Sequence, residues 1–128
     1  MPTPLCRILY VEDEPDIRTI AHMSLEAVGG FTVIACTSGN EALAAAPTAS
    51  ADLLLLDVMM PGMNGIDTLK ALRELPATAK TPVIFMTAKV QAAEVALYKG
   101  LGALDVIPKP FDPMELSAQI WSIWAAQA

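Results

Sequence analysis

The chain has 128 residues, of which 54% are hydrophobic and 17% charged, and a formal net charge of −6. That size suits one domain (residues 1–128) with a core able to fold without disulfides or metals, and that composition excludes a disordered chain. Eight scattered Lys and Arg against fourteen acids exclude non-specific nucleic-acid binding, and no apolar run is long enough to span a membrane. The N-terminus lacks the basic and apolar regions of a signal peptide, so a cytoplasmic location is expected.

Short apolar runs alternate with amphipathic stretches throughout. Residues Leu5–Val11 form a first strand. A helix follows over Pro15–Val28, with Pro15 in its first turn, Asp13, Glu14 and Asp16 near its N-terminus, and an apolar stripe of Ile17, Ile20, Met23/Ser24 and Val28. Gly29 and Gly30 end it. The second strand is Phe31–Cys36, and the second helix, Asn40–Ala46, is stopped by Pro47. Four consecutive leucines, Leu53–Leu56, lie between Asp52 and Asp57, as in a central strand buried on both faces. A third helix over Ile66–Leu75, a fourth strand over Val83–Met86, a fourth helix over Gln91–Lys99 ended by Gly100, a fifth strand over Leu104–Ile107 and a fifth helix over Pro113–Ala126 complete the pattern.

Strict strand–helix alternation implies an α/β fold: a doubly wound five-stranded parallel sheet, with right-handed crossovers and helices on both faces. Periodicity leaves open whether the strand order is flavodoxin-like or that of a Rossmann half. Cys6 and Cys36 show no CxxC spacing and would lie at opposite ends of neighbouring parallel strands. Both are therefore expected as small core residues rather than a disulfide. His22 falls mid-helix, away from the strand ends, and the methionines are expected mostly in the core.

Ligands of open parallel sheets sit beyond the carboxyl ends of the strands. Glu12 and Asp13 follow the first strand, Asp57 the third, Thr87 the fourth and Lys109 the fifth. The second strand, an edge strand in the flavodoxin-like order, offers only Thr37 and Ser38. Three carboxylates brought together repel one another, and a hard divalent cation such as Mg²⁺, content with all-oxygen ligands, relieves that repulsion. Lys109 would add a point charge and Thr87 a hydrogen-bond donor. These are the positioning and charge-neutralising parts that phosphoryl transfer uses.

With these residues placed, the stretches ILYVEDEP (8–15), LLLLDVMMPGMNG (53–65), VIFMTA (83–88) and PKPFDP (108–113), in this order and spacing, resemble the receiver domain of two-component response regulators, with its CheY-like fold and strand order 2-1-3-4-5. The resemblance implies that Asp57 accepts a phosphoryl group from a phosphohistidine on a histidine kinase or histidine phosphotransfer protein. It implies Glu12, Asp13, Asp57 and the backbone carbonyl of Met59 as Mg²⁺ ligands, Thr87 as the switch hydroxyl, and Lys109 as the phosphoryl contact, followed by a cis bond to Pro110. Such a domain is a phosphoacceptor that promotes its own phosphorylation and slow dephosphorylation, not a turnover enzyme. The resemblance also implies that Met59 and Lys89 flank the path of attacking water.

One position departs from the family pattern. Val106 stands where such receivers usually carry Tyr or Phe, so the inward rotation of an aromatic cannot relay the signal here. The last helix has no charge after Glu115 and carries Trp121 and Trp124. An apolar surface of that extent points to an output partner or a homodimer through the helix four–strand five–helix five face, against the simpler arrangement of one tryptophan in the core and one exposed.

Other readings fit less well. A phosphatase of similar topology would want a second acid where Met59 stands. A flavin- or nucleotide-binding domain would want glycines or hydroxyls where Glu12, Asp13 and Glu14 stand. Whether the domain acts alone or as the receiver part of a larger transcription factor or hybrid kinase is left open by these residues.

Overall fold

The computed structural model describes residues 4–127; the remaining ends of the expected single domain lie outside the described residues. Ten elements alternate along the chain: β1 (Arg7–Val11), α1 (Pro15–Ala27), β2 (Thr32–Cys36), α2 (Gly39–Ala49), β3 (Leu53–Asp57), α3 (Gly65–Arg73), β4 (Val83–Thr87), α4 (Ala92–Gly100), β5 (Ala103–Pro108) and α5 (Leu116–Ala125). The five strands are all parallel, in the order β2-β1-β3-β4-β5. This is the flavodoxin-like arrangement, and its strand order reverses between β1 and β3.

The leucines of β3 divide by the two-residue period of a strand. Leu54 and Leu56 join a core with Ala42, Ala46 and Ala49 of α2, Leu69 and Leu72 of α3 and Tyr98 of α4. Leu53 and Leu55 join a second core on the other face with Ala21 and Leu25 of α1 and Leu116, Ile120 and Trp124 of α5. A strand buried on both sides has no polar face, which is why β3 reads as an unbroken apolar run.

Several elements differ from the sequence expectation. Asp52 Oδ2 accepts from the backbone N–H groups of Cys6 (3.0 Å) and Arg7 (2.8 Å), at the point where β1 begins. Cys6 therefore stands ahead of the strand and is exposed, not a core residue, while Cys36 is buried; both are free thiols. Pro47 does not stop α2, which continues to Ala49. The proline forfeits one hydrogen bond to the preceding turn, but Ala46 and Ala49 are buried against the sheet and Arg7 Nε caps the Ala49 carbonyl at 2.7 Å.

The stripe expected to bury α1 faces largely outward. Ile20, Met23 and Val28 are exposed, and the helix packs through Ala21, Ser24 and Leu25. Small residues let α1 approach closely, and the Ser24 hydroxyl donates to the carbonyl of Pro113. Helix α5 begins at Leu116 rather than Pro113, because Asp112 Oδ1 accepts from Met114 N–H and turns the chain first. The methionines are not mostly core: Met60 and Met86 are buried, but Met23, Met59 and Met114 are exposed. Trp124 is buried, whereas Trp121 is 42% exposed and meets Phe31 with ring centroids 5.3 Å apart. His22 pairs with Glu26 on the outer part of α1.

Candidate functional site at the carboxyl edge of the sheet

The strand period that sorts the core also builds the site. Tyr10, Leu55 and Ile107 all point into the core shared with α1 and α5. Two residues further along each of these strands come Glu12, Asp57 and Lys109, which emerge on that same side where the apolar core ends. Glu12 is fully buried and Asp57 is 1% exposed. Lys109 Nζ lies 2.9 Å from Glu12 Oε1 and 3.3 Å from Asp57 Oδ1. One ammonium thus bridges two buried carboxylates. Asp13 joins them, and the three acids offer oxygens within 4.8 Å of one another.

Burial pushes the Asp57 carboxyl up to about 7, with a hydrogen bond and the like charge of Glu12 adding to the effect and Lys109 opposing it. Burial alone would lower the Lys109 ammonium, but the Glu12 hydrogen bond and the charges of Asp57 and Glu12 outweigh it, and its pKa rises. The site therefore has a proton-hungry carboxyl beside a lysine held firmly in its charged form. Asp57 Oδ1 has no hydrogen-bond partner among the described residues, since its approach to Lys109 is an ion pair without hydrogen-bond geometry. A buried carboxylate oxygen with no donor is the local deficit that a cation would fill.

Thr87 ends β4 and is fully buried, and its Oγ1 accepts from Lys89 N–H at 3.1 Å. Its carbonyl accepts from Lys109 N–H at 3.0 Å, which ties the threonine and lysine loops together. Phe85 belongs to the core of α2, α3 and α4, so by strand alternation Thr87 starts from the opposite face to Asp57. Met59 stands two residues beyond Asp57 with its side chain exposed. The Lys109–Pro110 peptide bond is cis. Val106 pairs with Phe85 across β4 and β5, is half-buried, and packs against the α2–α4 core.

The loop after Asp57 is held tightly. Gly65 N–H donates to Val58 carbonyl at 3.0 Å, and a Cβ on Gly65 would lie 2.3 Å from the Asp57 carbonyl oxygen. Only glycine allows α3 to start this close to the backbone of Asp57. Asn64 then caps α3 by accepting from Asp67 N–H at 2.9 Å. Arg18, not singled out in the sequence, donates from Nη1 to the Glu12 carbonyl at 2.9 Å and so pins the first acidic loop. Its signal would have been its place one helical turn past Glu14, whose carbonyl accepts from the Arg18 N–H.

A doubly wound sheet with clustered acids after β1 and β3, a buried threonine at β4 and a lysine after β5 defines a receiver-type phosphorylation module. The profile of the family described as "Response regulator receiver domain" matches residues 8–121, and the chain belongs to that family. It is 47% identical over 117 residues to the transcriptional regulatory protein CpxR of Escherichia coli (strain K12), covering 91% of this chain and 48% of that protein. It is 39% identical over 120 residues to the DNA-binding response regulator MtrA of Mycolicibacterium smegmatis, covering 94% of this chain and 51% of that protein. The chain thus spans about half the length of the curated relatives it matches. Among solved structures, chemotaxis response regulator CheY4 of Vibrio cholerae superposes with a TM-score of 0.84 at 30% identity, covering 94% of this chain and 99% of that chain. No helix among the described residues is long and apolar enough to cross a membrane.

Proposed function

We propose that this domain accepts a phosphoryl group on Asp57 from a phosphohistidine of a histidine kinase or histidine phosphotransfer protein, in a Mg²⁺-dependent step that switches a protein-interaction face. The observation that carries this reading is the meeting of three carboxylates with Lys109 at one sheet edge, around a buried Asp57. An Asp57 carboxylate oxygen forms the new P–O bond. The P–N bond to the donor's imidazole breaks, and its electron pair stays on the imidazole nitrogen, which takes a proton from solvent.

Glu12, Asp13 and Asp57, with the backbone carbonyl of Met59, make a hard oxygen donor set of the kind Mg²⁺ takes, with room for retained waters. When bound, the cation would supply positive charge to the carboxylates and to the phosphoryl oxygens. Lys109 contributes a second, fixed positive charge. Thr87 Oγ1 already accepts from Lys89 N–H, which leaves its own O–H to donate to a phosphoryl oxygen. The domain so acts as a phosphoacceptor that assists its own phosphorylation and slow dephosphorylation.

Docking of the donor is supported by an apolar groove of about 410 Å³ beside Lys109, lined by Ile17, Ile20, Ala88, Pro110, Phe111 and Pro113. The exposed Ile20 and Met23 on α1 extend that apolar surface. Relatives about twice as long, named as transcriptional or DNA-binding regulators, favour a receiver that controls a DNA-binding output domain over one that acts alone. The face of α4, β5 and α5, with Leu97 exposed and Val106 half-buried, is the surface through which an output partner or a second receiver would engage.

Incubation with Mg²⁺ and acetyl phosphate, followed by mass spectrometry, tests the reading. One added phosphoryl group on the wild type and none on Asp57→Asn is the expected result. Equal labelling of both proteins, or of neither, would overturn it.

A further inference from the structure

Beneath the acidic cluster lies a polar group that neither the fold nor phosphoryl transfer accounts for. Tyr10 is fully buried among Ile8, Leu53, Leu55, Ile84 and Met86, yet its hydroxyl has no hydrogen-bond partner among the described residues. A phenylalanine would fill such an apolar layer without burying a donor. Tyr10 precedes Glu12 by two residues, so both side chains leave β1 on the same face, and it pairs with Leu55, which stands in the same relation to Asp57. The phenol therefore rises from directly under the two carboxylates. A phenol with an ordinary pKa of about 10 already keeps its proton. At physiological pH this group is a neutral donor.

We propose that Tyr10 is a positioning residue of the cation site, its hydroxyl donating from below to the Glu12 carboxylate and holding it against Asp57. Glu12 is already gripped on its other sides, with Lys109 Nζ at 2.9 Å from Oε1 and the N–H of Glu14 at 3.3 Å from Oε2. A donor from beneath completes the restraint. Unlike Lys109, a phenol orients the carboxylate without adding positive charge, so it does not compete with an incoming cation. Hydrogen-bond partners behind metal-ligating carboxylates fix their orientation, and their loss commonly weakens binding by about 10–100-fold.

This inference rests on the reading of the acidic cluster as a Mg²⁺ site, and the test separates the two. Mg²⁺ is titrated calorimetrically into wild type, Tyr10→Phe and Tyr10→Leu, and each protein is melted in metal-free buffer. The expected result is a Mg²⁺ Kd about tenfold weaker in both variants, with Tyr10→Phe, which keeps the ring in the core, still melting cooperatively. Phosphorylation by acetyl phosphate should need correspondingly more Mg²⁺ while reaching the wild-type rate at saturation. Unchanged Mg²⁺ affinity in Tyr10→Phe overturns the inference and leaves the cation site standing. A Kd weakened in Tyr10→Leu but not in Tyr10→Phe overturns it too, by making the tyrosine a packing residue. No Mg²⁺ binding by the wild type overturns the site reading itself.

Discussion

Asp57→Asn probes the electrostatics of the site without any phosphodonor. Burial and Glu12 raise this carboxyl from the ordinary 3.8 to about 7. A group whose pKa rises on folding holds its proton more tightly in the folded state. Its contribution to stability is complete below the unfolded pKa and is lost as pH climbs through the folded one. A shift of roughly three units corresponds to about 4 kcal/mol across that window. Movement of Lys109 toward the ionised carboxylate returns part of this, so about 2 kcal/mol is expected to be lost from the wild type between about pH 4.5 and 8. Asparagine has no such slope. In metal-free buffer, urea unfolding should therefore give nearly equal stabilities for the two proteins at the acid end, with Asp57→Asn about 2 kcal/mol the more stable at the alkaline end. Added Mg²⁺ should narrow the alkaline gap, because it binds and stabilises only the wild type appreciably. A gap that is constant with pH, or that closes as pH rises, would refute the claim that Asp57 is buried at an electrostatic cost.

Three further substitutions test how the site is held and addressed. Gly65→Ala should cost about 1–3 kcal/mol in urea unfolding and slow phosphorylation by acetyl phosphate, since its Cβ would lie 2.3 Å from the Asp57 carbonyl oxygen; wild-type stability would contradict the close approach. Arg73→Ala should lose about 2 kcal/mol with labelling of Asp57 intact, because Arg73 Nη1 donates to the carbonyls of both Thr78 and Thr81 in the loop before β4. Ile20→Ser should slow transfer from a phosphohistidine donor at least about fivefold by removing apolar docking surface, while acetyl phosphate, which needs no groove, labels it at the wild-type rate. An equal effect on both donors would show that Ile20 serves folding rather than docking.

The sheet was legible because its signals are local. Four leucines between two aspartates fit a strand covered on both faces, and four of the five strand ends then locate a candidate site residue without any knowledge of the tertiary structure. The family resemblance supplied the strand order and the cis Lys109–Pro110 bond, neither of which follows from periodicity. Where sequence reading failed, a long-range contact decided the matter. An apolar count favours Ile17, Ile20, Met23/Ser24 and Val28 as the stripe of α1; of these Ser24 is buried, its hydroxyl donating to the Pro113 carbonyl, and the helix packs through Ala21, Ser24 and Leu25. Asp52 caps the start of β1 from 45 residues away and leaves Cys6 outside the strand. Pro47 is a helix breaker by propensity, yet packing of Ala46 and Ala49 carries α2 past it. Tyr10 reads as one more apolar strand residue until its hydroxyl is seen to lack a partner.

On the proposed reading, the geometry would also link activation of Asp57 to binding of the cation. With only the protein's own charges, Lys109 sits closer to Glu12 than to Asp57, at 2.9 against 3.3 Å. Asp57 is the less compensated of the two buried acids, and burial and Glu12 push its carboxyl up to about 7. Only the ionised carboxylate is a nucleophile, so on the proposed reading metal-free protein would accept a phosphoryl group poorly on the acid side of that value. On the proposed reading, a divalent cation held by the three acids would favour the ionised form of each. With the cation's charge beside Glu12, Lys109 would be available to contact phosphoryl oxygens. Activation of Asp57 and charge compensation for an incoming group would then follow from one binding event. That coupling requires Glu12 to be as deeply buried as Asp57, because an exposed acid would leave Lys109 paired with Asp57 from the outset.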